Sequence, residues 1–117
     1  MAHLGSKLKT QIKLSVETVT TEEDGYFVVY CPALELSGYA ETVEKAKASF
    51  EKEMEIFLEE TCKRGTLEKY LLKNGWCLQQ SPKLSYLPPP QSYKKISSLK
   101  KRNGKVSRRE INIPVYC

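Results

Sequence analysis

The chain has 117 residues, 40% of them apolar and 28% charged, with a net charge of +5. That length supports one domain with a core of its own, which needs no metal or disulfide to fold. No run approaches the roughly 18 apolar residues of a membrane span, and the N-terminus has no apolar signal-peptide core, so a cytoplasmic protein with no membrane contact is expected.

The charge is unevenly placed. Residues 1–81 hold ten Lys/Arg against thirteen Asp/Glu, a net of −3, whereas residues 82–117 hold nine against the single Glu110, a net of +8. An acidic body with a basic tail points to a polyanionic or acidic partner for the tail.

In chain order, residues 1–10 form an N-terminal extension that carries the only histidine, His3. Ile12, Leu14 and Val16 then alternate with Lys13, Ser15 and Glu17, the period of a half-buried strand. Asp24-Gly25 supplies hairpin-turn chemistry before a second strand, Tyr26-Phe27-Val28-Val29-Tyr30, which Pro32 ends. Leu36 to Ala40 predicts a third strand, with a bulge at Gly38.

Thr42 is placed to cap a long helix whose Val43, Ala46, Phe50, Met54, Phe57, Leu58 and Thr61 recur at three- and four-residue steps. Gly65 ends it, and Thr66 opens a shorter helix to about Asn74, with Leu67, Tyr70 and Leu71 inward. Trp76-Cys77-Leu78 is expected to return as a strand. Pro82 and Pro88-Pro89-Pro90 then mark an exit from the compact domain in extended form. Ile96 and Leu99 are too few to hold a helix, while the alternation of Ile111, Ile113 and Val115 permits a short strand.

The expected fold is therefore α+β, in the order β-β-β-α-α-β, a small antiparallel sheet with the long amphipathic helix packed on one face. The chain divides into an extension (1–10), an α/β domain (11–81), a Pro-rich linker (82–93) and a basic tail (94–117).

Chemistry-bearing motifs are few. The spacings of Cys31, Cys62, Cys77 and Cys117 match no metal pattern, and the cysteines are taken as small buried apolar groups with a terminal thiol. With His3 in a loose end and Glu22, Glu23 and Asp24 on a wet turn, neither catalysis, a cofactor nor a metal is expected. Trp76, Tyr70, Phe57 and Tyr26 are assigned to the core rather than to a ligand box.

Two surfaces remain. Lys94, Lys95, Lys100, Lys101, Arg102, Lys105, Arg108 and Arg109 suit the phosphates of a nucleic acid, although a solubilising tail fits them as well. Glu53, Glu55, Glu59 and Glu60 on the helix suit a basic protein partner, and equally an ordinary solvated face. The Ile111, Ile113 and Val115 strand, lent to a neighbouring subunit, would make a homo-oligomer.

Three pieces in order, Gly25-Tyr26-Phe27-Val28-Val29-Tyr30-Cys31-Pro32-Ala33-Leu34, Thr42-Val43-Glu44-Lys45-Ala46 and Phe57-Leu58-Glu59-Glu60, resemble the N-terminal domain of HicB-like antitoxins over residues 11–80. The resemblance implies a sheet crossed by one helix, a dimer, and a small basic RNA-cleaving toxin as partner. The sequence departs from that family at Glu35-Leu36-Ser37-Gly38, where Pro-Gly-Cys is usual, and lacks a complete C-terminal DNA-binding module.

Overall fold

The structure, a computed structural model, describes residues 12–81 and 84–113. Strands β1 (Lys13–Glu23) and β2 (Tyr26–Cys31) pair antiparallel from Glu23↔Tyr26 to Val19↔Tyr30. Asp24 and Gly25 between them both have positive φ, 51° and 85°, which matches the twist that a two-residue hairpin loop must supply. Strand β3 (Leu36–Ala40) continues the sheet in unbroken register from Phe27↔Ala40 to Cys31↔Leu36, so the bulge expected at Gly38 does not form.

Gly38 serves the helix instead. Helix α1 (Val43–Lys63) starts at Thr42, whose Oγ1 accepts from Lys45 N at 3.2 Å. Ala46, Phe50, Met54, Leu58 and Cys62, each four residues apart, form its buried stripe, with Val43, Phe57 and Thr61 half-buried beside it. The helix lies so close to β3 that a methyl group on Gly38 would stand 2.7 Å from Phe50 Cα and 2.8 Å from Ser49 C.

At its C-terminal end Gly65 takes φ +64°, and Thr66 N donates to Thr61 O at 2.9 Å while Gly65 N donates to Cys62 O at 3.1 Å, which satisfies two of the last carbonyls. Helix α2 (Leu67–Lys73) follows and buries Leu67 and Leu71. Thr66 does not cap it; the Thr66 hydroxyl leans back toward Thr61 O at 3.4 Å.

The second half differs from the linker and tail expected. After β4 (Cys77–Gln79), the short β5 (Ser85–Leu87) runs antiparallel to β4 and parallel to β1, through Lys13↔Ser85 and Leu14↔Tyr86. The sheet is thus mixed rather than purely antiparallel. Pro88 and Pro89 are buried, and Pro90 enters the first turn of helix α3 (Pro90–Lys100), where a missing N–H costs nothing. Two buried residues, Ser92 and Ile96, hold α3 down; Ser92 Oγ also donates to Pro89 O at 2.8 Å.

Strand β6 (Lys105–Asn112) then pairs antiparallel with β1 over eight residues, from Lys13↔Asn112 to Thr20↔Lys105. Since β1 pairs β6 and β5 at Lys13–Leu14, and β6 and β2 at Val19–Thr20, β2 and β5 share one edge of β1 and β6 takes the other.

The pleat divides the side chains between two faces. Leu14 and Val16 join Val29, Cys31, Phe50 and Leu71 in the main core under α1 and α2. Glu17 and Val19 point to the opposite face, which α3 covers, and Val19 and Ile96 are buried there outside the main cluster. Of the aromatic residues assigned to the core, Trp76 is buried and Phe57 meets Tyr70 edge-on with centroids 5.4 Å apart. Tyr26 is not in the core. It is exposed on the outer face, in edge contact with Tyr39. Cys31 is a buried free thiol and burial pushes it up to about 11, whereas Cys77 is exposed and Cys62 is disulfide-bonded, contrary to a purely apolar role.

Candidate functional site

The eight basic positions of the C-terminal region fall on three consecutive segments, which make a basic ridge in chain order. Lys94, Lys95 and Lys100 stand on α3, Lys101 and Arg102 in the turn after it, and Lys105, Arg108 and Arg109 on β6. Every one is exposed.

Two of the eight are engaged within the molecule. Register sets Arg108 opposite Glu17, whose Oε2 accepts from Arg108 Nε at 3.3 Å and from Nη2 at 3.1 Å. The Glu17 side chain is 10% exposed and its Oε1 has no hydrogen-bond partner, while Arg108 is 72% exposed. Arg109, on the other face of β6, contacts Glu51 of α1. Lys94, Lys95, Lys100, Lys101, Arg102 and Lys105 have no ion pair among the described residues. Lys100, Lys101 and Arg102 also stand at the negative end of the α3 dipole, which stabilises them there in the absence of any ligand.

The Glu17–Arg108 pair predicts an asymmetric response to mutation. Arg108→Ala strands a carboxylate that is nine-tenths buried, and should cost about 2 kcal/mol, less than for a fully buried pair because the guanidinium is mostly in water. Replacing both partners, with Glu17→Val and Arg108→Val, should recover most of that loss. Urea unfolding measures each; an Arg108→Ala protein as stable as the parent would show that the pair contributes nothing.

Glu53, Glu55, Glu59 and Glu60 are all exposed on α1, as expected of either role. Glu59 pairs with Lys63 at 3.1 Å and Glu60 with Arg64 at 3.3 Å, one helical turn on. Glu53 and Glu55 have no ion pair among the described residues. Ile111 and Ile113 are not lent to a neighbour: Ile111 pairs with Leu14, Ile113 N donates to Ile12 O at 2.9 Å, and both pack on the main core. Val115 lies outside the described residues, as do residues 1–11.

A cleft that the sequence does not reveal lies between α1 and β6. Helix α1 packs over β2 and β3 and leaves the inner face of β1 and β6 open near Thr20. Two cavities there, about 470 and 260 Å³, share Thr20, Lys47 and Ser107 and so form one groove. The larger has Phe27 and Val43 on its apolar side, with Lys105 and Asn103 opposite; the smaller reaches Thr18, Glu51 and Arg109. Thr18 is 4% exposed, and its hydroxyl has no hydrogen-bond partner among the described residues. Lys47 has no ion pair among them either. No signal in the sequence links Lys47 to Lys105, because only the β6 register brings them together.

Among the described residues no three His, Cys, Asp or Glu side chains gather closely enough to hold a metal ion, and no helix is long and apolar enough to cross a membrane. Compared with protein-family models, with curated proteins and with solved structures, the chain matches none.

Proposed function

We propose that the protein is a binding module that engages nucleic acid through the basic ridge of α3, the following turn and the start of β6. The supporting observation is that six cations within residues 94–105 lack internal partners while Arg108 and Arg109 are spoken for. Such a ridge meets phosphates rather than base edges, so affinity comes largely from counterion release.

Fluorescence anisotropy against salt tests this directly. Between about 50 and 200 mM salt, log K should fall against log[salt] with a slope of about −4 to −5 on duplex DNA if all but one of the six take part. Changing Lys94, Lys95, Lys101 and Arg102 to Gln should flatten the slope by about 0.9 for each contact removed. Salt-independent binding, or an unaltered slope in the variant, would overturn the proposal.

A second reading draws on the α1 surface. The hairpin and the helix that Thr42 launches have the layout which the HicB-like resemblance implies, and Glu53 and Glu55 stand without ion pairs. That supports an antitoxin-type role in the cytoplasm, with a small basic RNA-cleaving protein docked on α1 and the ridge left free for nucleic acid. In the same series, Glu53→Lys with Glu55→Lys should slow association with a small basic protein encoded beside this one by about tenfold, with nucleic-acid affinity unchanged or raised. Absence of any complex between the two parent proteins would remove this second reading and leave the first in place.

A further inference from the structure

We propose that the cleft between α1 and β6 takes one unpaired nucleotide, which would make single strands the preferred substrate of the ridge; this rests on the nucleic-acid role proposed above. The cleft has the two kinds of wall that a nucleotide needs. Phe27 and Val43, both half-buried, offer an apolar side against which a base ring packs, and at about 470 Å³ the larger cavity lies within the range of small-ligand pockets. Lys47 and Lys105 face the same space with neither charge answered within the described chain, and Thr20 and Ser107 add hydroxyls between them.

Thr18 lines the smaller cavity and adds a third hydroxyl, one with no partner within the described chain. Two carboxylates also line the groove. Glu51 is neutralised by Arg109, and Glu22 is an exposed residue at the outer end. The remaining charge is positive, which favours a phosphate over a cation.

A duplex cannot enter, because its bases are stacked and paired, whereas a single strand can turn one base inward while its flanking phosphates follow the ridge. The cleft meets the ridge only at its β6 end, where Lys105 belongs to both and Asn103 lies in the turn between α3 and β6.

The test uses the full chain and three small probes: uridine 5′-monophosphate, uridine and inorganic phosphate. In amide NMR titrations the monophosphate should shift Thr20, Lys47 and Ser107, and bind more tightly than either of its parts. Lys47→Gln, on an exposed helix position, and Thr20→Val, which removes a hydroxyl at nearly constant shape, should each preserve the unfolding midpoint. Together they should weaken binding of a ten-nucleotide single strand by about tenfold and leave a duplex of the same length unaffected. If the four-residue ridge variant loses affinity for both nucleic acids while the cleft variant loses none, the cleft proposal falls and the ridge stands. If neither variant alters binding, both fall. Equal binding of uridine 5′-monophosphate and inorganic phosphate would reduce the cleft to an anion site and overturn the nucleotide assignment.

Discussion

Gly38→Ala is expected to be among the most destabilising single substitutions available in this chain. The added methyl would lie 2.7 Å from Phe50 Cα and 2.8 Å from Ser49 C, and nearer still to Phe50 N. All three are main-chain atoms of α1, so no rotamer change relieves the contact; the helix must lift from β3 as a body. Lifting it loosens Ala46, Phe50 and Met54, the stripe on which the main core depends. Overpacking usually costs about 1–3 kcal/mol and occasionally more, and with a rigid obstacle about 3 kcal/mol or above is expected here. For a domain of this length that is a fall in Tm of about 10 °C or more. Trimming the side chain with Phe50→Ala should not rescue the variant, because the obstacle is backbone. A Gly38→Ala protein within 1 °C of the parent would mean that α1 does not sit this close to the sheet.

The elements that could be read from the sequence share one property: the signal for each lies within the element. The hairpin declares itself through the alternation of Leu14 and Val16 with polar residues and through Asp24-Gly25, both of which take positive φ. Helix α1 declares itself through the Thr42 cap, the stripe from Ala46 to Leu58, and Gly65. Strand β6 has no such signal. It is polar nearly throughout, and its two apolar residues, Val106 and Ile111, fall on opposite faces because they are an odd number of residues apart. An edge strand exposed on both faces is specified by the neighbour it joins, here the otherwise unpaired side of β1.

Helix α3 was concealed differently. Pro88-Pro89-Pro90 suggests an extended spacer, yet one proline at the first turn is fully compatible with a helix. The stripe beneath it runs Ser92, Ile96 and Leu99, correctly spaced but opening on a serine. The same dependence on tertiary pairing governs the sites. The ridge cations are visible in sequence as a basic run, but Glu17 and Glu51, which remove Arg108 and Arg109 from it, become relevant only through register.

That register also predicts what removal of the tail does. Deleting residues 101–117 should abolish cooperative unfolding, although the sequence suggests a free tail beside a self-sufficient body. The deletion strips an eight-residue ladder from β1 and withdraws Ile111 and Ile113 from the main core, where they pack with Leu14 and its neighbours. Losing apolar contacts at two such positions costs about 2–5 kcal/mol each when fully buried, somewhat less here for half-buried Ile111. The newly opened edge of β1 adds unpaired amides and an aggregation-prone strand. Since a domain of this kind has about 5–15 kcal/mol in total, little or nothing remains. By contrast, Lys94, Lys95, Lys101 and Arg102 are exposed and unpaired, so their change to Gln should leave the urea midpoint close to that of the parent. Circular dichroism in urea on the two proteins separates the cases. A truncated chain with an unchanged sigmoidal transition would show that β6 rests on the sheet without supporting it. With the expected result, loss of nucleic-acid binding on truncation would carry no information about the ridge, and charge substitution is the experiment that does.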